Sequence, residues 1–167
     1  MRVLLLGDTH GALDVRVLAL AGSCELVVHA GDMGNAAVLF ALRDACSDVR
    51  AVRGNNDVAA KWPAADRTVL GTLPVSSDIE LPGGVLAVEH GDRFPVATRH
   101  ARLRQAHATA RAVLYGHSHR LAIDDSATPW VLNAGAAGRA RTHGGPSCLL
   151  LSASVRRWRV IAHRFEP

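Results

Sequence analysis

Five short polar motifs constrain this chain more than anything else in it: Gly7-Asp8-Thr9-His10, Gly31-Asp32, Gly54-Asn55-Asn56-Asp57, His90-Gly91-Asp92 and Gly116-His117-Ser118-His119. Four of them directly follow an apolar run that reads as a buried β-strand, and the third follows a mixed one. A turn after a strand delivers its side chains to one edge of a sheet. A single strand-end Asp is an ordinary turn former, but five such turns in series gather Asp, Asn and His in a number that turn formation alone does not need. These are the side chains that hold two divalent cations side by side.

The segments between the motifs set the fold class. Residues 3–6, 25–30 and 49–53 read as strands. Residues 12–21 and 35–46 alternate with them as helices, Leu13, Val17, Leu20 and Ala21 sharing one face and Asn35 standing at an N-cap position. Strand and helix in alternation predict right-handed crossovers and a mainly parallel sheet, with ligands at the carboxyl ends of its strands. The second half changes character. Residues 78–81 and 85–89 flank Pro82-Gly83-Gly84 as a hairpin, residues 95–108 read as a helix carrying Arg99, Arg102 and Arg104, and Ala112–Tyr115 is a short strand running into the fifth motif. Trp130–Asn133, Ser147–Ala153 and 155–164 read as further strands, the last two paired, while 56–72 reads as loop. Two stacked sheets with helices outside each bury both apolar sets most simply.

At 167 residues the expectation is one domain, 1–167, with a core of ordinary size. No apolar stretch reaches the 18 residues of a membrane span, and residues 1–6 run straight into Gly7-Asp8, which reads as a strand and not a leader; a cytoplasmic location is expected. Cys24, Cys46 and Cys148 are too few and too far apart for a disulfide framework or a zinc pattern, and read as small buried hydrophobes. The net charge is +4, and Lys61 is the only lysine among the basic residues. An arginine-rich solvated surface accounts for this as well as an anionic partner does.

Taken in order and spacing, Asp-x-His, Gly-Asp, Gly-Asn, His-Gly and Gly-His-x-His resemble the calcineurin-like metallophosphoesterase superfamily, and in particular its small bacterial and archaeal phosphodiesterases. The resemblance runs from Asp8 to the segment 132–141. It implies an α/β fold, a four-layer α/β/β/α sandwich of two stacked mixed sheets with outer helices. It also implies two divalent metal ions. Asp8, His10 and His119 would hold one, Asn55, His90 and His117 the other, and the Asp32 carboxylate would bridge them. Mixed nitrogen and oxygen ligation suits Mn²⁺ first, and Ni²⁺, Fe²⁺, Co²⁺ or Zn²⁺ as alternatives, better than Mg²⁺. The implied reaction is hydrolysis of a small phosphodiester by in-line attack of a metal-bridging hydroxide, with Asp32, Asn55 and Asn56 as catalytic positions.

Two departures from the family pattern bear on that expectation. Asn56 stands where many relatives have a His that assists the leaving group. An amide donates no proton as a general acid but can hydrogen-bond a phosphoryl oxygen, so leaving groups of high pKa should react slowly. Asp92 stands where close relatives have a second His, and either bonds a ligand histidine or caps its turn. Asp57 reads as orienting the Asn55-Asn56 turn. His29 reads as a hydrogen-bonded core histidine, with support of the site as the alternative. Arg120, Arg139 and Arg141 are the arginines placed to meet a phosphate. Two other functions compete. One is a nuclease, suggested by the basic stretch 99–111 but lacking an aromatic platform. The other is a non-catalytic protein-interaction scaffold, as in a eukaryotic coat subunit of this fold whose site is eroded, whereas all seven ligand positions are filled here.

Overall fold

The structure, a computed structural model, describes residues 1–167. Two five-stranded sheets lie face to face. The first has the order β10-β9-β1-β2-β3, built from Trp158–Arg164 (β10), Ser147–Ala153 (β9), Arg2–Leu6 (β1), Leu26–His29 (β2) and Val49–Ala51 (β3). The second has the order β4-β5-β6-β8-β7, from Ser76–Leu81 (β4), Gly84–Glu89 (β5), Ala112–Tyr115 (β6), Trp130–Asn133 (β8) and Ala122–Asp124 (β7). β1, β2 and β3 pair in parallel, as do β5, β6 and β8; β9 and β10 run antiparallel on one flank of the first sheet, and β4 and β7 close the two edges of the second antiparallel.

Alternation along the strands builds the layers. Val3 and Leu5 of β1 face Leu86, Val88, Leu114 and Leu132 of the other sheet, and this inner core is fully buried. Leu4 and Leu6 point outward, onto Val17 and Ala21 of the helix Val15–Ala21 (α1) and onto Leu39 and Leu42 of Ala36–Ala45 (α2). On the far side Ala87, Val113 and Val131 meet Leu103 of the helix Arg99–Ala106 (α4). The result is the four-layer α/β/β/α sandwich expected from the sequence. No helix is long and apolar enough to cross a membrane.

Four local expectations need correction. The segment read as loop contains a helix, Arg67–Thr72 (α3), which buries Leu70 against the first sheet's outer layer. A three-residue edge strand, β7, was not anticipated at all. The first helix starts only at Val15, because the Asp14 carboxylate accepts from Arg16 N and caps it there. The fourth begins as a 3₁₀ turn at Val96–Thr98 before Arg99. At the second helix the Asn35 side chain accepts from Val38 N, the cap that its position indicated. The cysteines are free, with Cys46 and Cys148 buried.

Candidate metal centre

The five motifs meet at one edge, where the carboxyl ends of β1, β2, β3, β5 and β6 converge across the two sheets. Backbone pairing continues beyond the strands and locks the turns together: Asp8 N donates to Gly31 O (3.0 Å), His10 N to Asp32 O (2.9 Å) and Gly11 N to Met33 O (2.7 Å). The turns are tight. Asp8, His10, Asp32, His117 and His119 all have positive φ, between 47° and 66°. A non-glycine residue in that region costs about 1–3 kcal/mol, and five of them in one cluster persist because the surrounding packing dictates the path. The glycines of the motifs provide the approach. A Cβ on Gly31, whose φ is 95°, would lie 2.7 Å from Gly54 N, and one on Gly54 would collide with the Asp32 carboxylate.

All seven candidate ligands are brought together, in two halves. In the first, His119 Nε2 lies 3.5 Å from Asp8 Oδ1 and 3.1 Å from His10 Nε2. In the second, His90 Nε2 and His117 Nδ1 both point at Asn55 Oδ1, at 3.1 and 3.0 Å. Asp32 lies between: its Oδ2 is 3.4 Å from His90 Nε2 and 3.8 Å from His10 Nε2. Asp8, His10 and His119 form one group whose ligand atoms lie within 4.8 Å of one another, and Asp8, Asp32 and His90 form a second. Each half takes ligands from both sheets.

The donor set suits divalent cations, and one atom asks for one. Asp8 is fully buried, and its Oδ2 is the only buried side-chain oxygen or nitrogen with no hydrogen-bond partner. Such a group is costly unless something compensates it. Burial pushes the Asp8 carboxyl up to about 7. Burial lowers His10 and His117, and takes His119, which lies beside Arg141, down to about 4; these rings are neutral, as metal ligands must be. At His90 burial works downward too, but the Asp32 carboxylate outweighs it and raises the ring to about 9. Burial would raise Asp32, yet hydrogen bonds from His90 and Asn56 hold it well below the usual carboxylate range.

The supporting contacts fix ring orientation. His90 Nδ1 bonds Ala30 O (2.8 Å) and His119 Nδ1 bonds Ala140 O (3.1 Å), which turns the other nitrogen of each ring inward. Buried Asn133 donates to Gly116 O (2.8 Å) and Ser118 Oγ (3.1 Å), so it holds the turn that carries His117 and His119. Asp57 does more than orient its own turn. Its carboxylate accepts four bonds, from Met33 N, Gly34 N, Gly54 N and Trp62 Nε1, and so staples the Asp32 turn to the Asn55 turn. His29, neutral because burial lowers it to about 4, bonds Thr9 Oγ1 at 3.0 Å behind His10, which places it behind the site as well as in the core.

Several residues sit differently from expectation. Asn56 gives its backbone N–H to Asp32 Oδ1 (2.8 Å) and its amide to Asp32 Oδ2 (2.6 Å), while its carbonyl accepts from Lys61; it clamps the central carboxylate instead of standing free for substrate. Arg139 lines a separate cavity with Asp14, Arg16 and Thr142. Arg141 is the arginine on the site, its guanidinium 3.1 Å from His119 Nε2. Arg120 is exposed, and only its backbone is tied, to Ser118 Oγ. Asp92 neither bonds a ligand histidine, whose partners are Ala30, Asn55 and Ala140, nor is buried; it lines a cavity of about 330 Å³ that opens beside Asn55 and His90 and includes Arg53, Ser76, Glu89 and Arg93. The spacing of the motifs gives no sign of the Lys61 contact.

Known proteins share this fold. No curated protein sequence matches the chain. Solved structures similar to it include Vps29 from Entamoeba histolytica in complex with Zn²⁺, at 18% identity and TM-score 0.76 with 99% of each chain covered. Others are an archaeal phosphodiesterase, at 19% identity and TM-score 0.71 over 98% of this chain and 100% of that one, and a predicted phosphoesterase from Streptococcus pneumoniae TIGR4, at 18% identity and TM-score 0.68 over 98% and 88%. At these identities the likeness is one of fold. The model of the calcineurin-like phosphoesterase superfamily domain matches residues 1–155, and the chain belongs to that superfamily.

Proposed function

We propose that the protein is a metal-dependent phosphodiesterase acting on small phosphodiesters. The observation that carries this reading is the buried, unpartnered Asp8 Oδ2 among the clustered donors of Asp8, His10, Asp32, His90 and His119, with Asn55 and His117 bonded at their side. Asp8, His10 and His119 would hold one divalent cation, Asn55, His90 and His117 a second, and Asp32, within 4 Å of ring nitrogens from both halves, would reach both. Mn²⁺ is the favoured occupant, with Ni²⁺, Fe²⁺, Co²⁺ and Zn²⁺ as alternatives. When bound, such a pair supplies an acidified water and offsets charge on the phosphoryl oxygens.

The chain's own residues supply the rest. Asn56 and His90 keep the Asp32 carboxylate ionised and aimed. Burial keeps three of the four imidazoles unprotonated, so they add no charge of their own. The cavity beside Asn55 and His90 has room for the ester group, and Val75 is the one hydrophobic residue that lines it. Asn56, which reaches the central carboxylate, is an amide and donates no proton to a poor leaving group. That favours activated and moderately good leaving groups.

The nuclease reading loses its main support. Arg99 of the basic helix is buried, with Nε bonded to Phe94 O, and Arg104 is paired with Asp124 at 2.7 Å. The scaffold reading fits the Vps29 neighbours, one of them in complex with Zn²⁺, and the buried, unpartnered Asp8 Oδ2 among clustered donors favours catalysis over it. Hydrolysis of an aryl phosphodiester with added Mn²⁺ or Ni²⁺, abolished by chelator and restored by metal, is the expected outcome. Full turnover after exhaustive chelation and dialysis would sink the metal-dependent mechanism.

A further inference from the structure

The loop between β8 and β9 crosses the first half of the centre. Ala140 O receives the Nδ1 proton of His119 (3.1 Å), so the His119 Nε2 lone pair faces the site. Arg141 Nη2 lies 3.1 Å from that nitrogen and 3.5 Å from His10 Nε2. A guanidinium can only donate, so it shares with His10 Nε2, also 3.1 Å away, the lone pair through which His119 would bind a cation. That lone pair cannot serve the cation as well.

We propose that Arg141 is the anion-binding arm of the centre: its guanidinium rests on His10 and His119 and swings onto the substrate phosphate once those rings take a cation. The assignment rests on the phosphodiesterase reading for its substrate, and on the loop geometry for everything else. The side chain is exposed and forms no ion pair with a carboxylate, so little holds it where it rests. Its backbone has φ 52°, followed by His143 at 37° and Gly144 and Gly145 at 101° and 109°, a path that turns the chain from the site toward Arg164 and Phe165. The Ala140 carbonyl stays anchored on His119, so the arm can move while its base does not. A displaced guanidinium so tethered remains next to the anion that a cation pair attracts, and its planar fork matches two phosphoryl oxygens at once. Arg139, two residues earlier, faces Asp14 and Arg16 and cannot substitute.

The test uses Mn²⁺ and inorganic phosphate as probes, with the parent, Arg141→Met and Arg141→Lys compared by calorimetry and circular dichroism confirming the fold. Mn²⁺ titrated into metal-free protein should bind Arg141→Met about fivefold more tightly than the parent, because a competing cation is gone. Phosphate titrated into the Mn²⁺-loaded protein should bind Arg141→Met about tenfold more weakly, with Arg141→Lys between. Unchanged Mn²⁺ affinity overturns the resting position, and unchanged phosphate affinity overturns the anion-binding role; either result ends the proposal. Both shifts in Arg141→Met, with a parent that hydrolyses no phosphodiester, remove the proposed function and leave Arg141 assigned. A parent that hydrolyses while Arg141→Met shows neither shift does the reverse.

Discussion

The Asp8, His10 and His119 half of the candidate centre and the Asn55, His90 and His117 half have similar donors and differ in what holds them. In the second half, His90 is fixed by Ala30 O at the end of β2, inside the sandwich. A single Asn55 oxygen collects both rings, and a polar cavity lies open beside them. In the first half, Asp8 is deeply buried, but His119 leans on Ala140 in a surface loop and Arg141 covers the rings. One half is set by strand ends and the other partly by a loop. The first should therefore respond to the loop, and the second to the core beneath it.

Asp32→Ala should erase the distinction, because both halves lose their shared carboxylate. We expect activity to fall by about a thousandfold, with a circular-dichroism spectrum like the parent's. His90→Ala, which touches the second half, should cost less. Activity of Asp32→Ala above a tenth of the parent's would remove the central role of that carboxylate.

Asp57→Ala should damage the second half through the fold. Four N–H groups lose their acceptor, three of them backbone amides in the Asp32 and Asn55 turns. The expected destabilisation is on the order of 4 kcal/mol, read from urea denaturation of the metal-free protein. Asp57→Asn, which keeps one carbonyl acceptor, should lose less. A loss under about 1 kcal/mol would mean that the two turns are held by other contacts.

How much of this was legible beforehand follows from how local each signal is. Ala112–Tyr115, Trp130–Asn133 and Ser147–Ala153 are continuous apolar runs with clear ends, and the strands match them residue for residue. The seven candidate ligands are legible because each lies in a turn at the end of a strand-like run, apolar for six of them and mixed before Asn55. α3 was not: Arg67–Thr72 has six residues, one buried, and shows too little periodicity to separate it from a loop. β7 is three residues long, and pairing with β8 makes it a strand. Arg141 and Arg139 are indistinguishable in sequence; the left-handed backbone at Arg141 helps decide which one turns inward. The contact of Asn56 with Asp32 is hidden for a related reason, since its partner is 24 residues away.

The halves should also separate by pH. Cations compete with protons for their ligands. The first half contains Asp8 at about 7 and rings that burial has already lowered. The second contains His90 at about 9, held up by Asp32. A ligand proton of pKa about 9 must leave at every pH below that, so Mn²⁺ affinity of the second half should rise about tenfold per unit from pH 7 to 9. The first half should gain affinity mainly up to pH 7 and then level off. Calorimetric titrations at pH 6.5, 7.5 and 8.5, in buffers of different ionisation enthalpy, resolve the two steps. Parallel pH dependence of both steps would mean that the halves do not differ in proton affinity.

The smallest effect is expected at Asn56, and it decides what that residue faces. Its backbone and side-chain N–H groups both reach Asp32, and Lys61 donates to its carbonyl. Removing the amide in Asn56→Ala frees one carboxylate oxygen to turn but leaves the backbone bond in place. The rate should fall by about tenfold or less, the scale of losing one hydrogen bond to a charged group. Because the lost contact acts on Asp32 and not on the departing oxygen, alkyl and aryl phosphodiesters should slow by the same factor. Asn56→His breaks the same amide bond while adding a ring of pKa about 6.5 that could protonate a leaving oxygen. If position 56 faces only Asp32, the ring gives no advantage to alkyl substrates, and the alkyl-to-aryl ratio of kcat/KM stays that of the parent. A raised ratio in Asn56→His, with none in Asn56→Ala, would place position 56 within reach of the leaving group, and the clamp on Asp32 would then be only part of what this residue does.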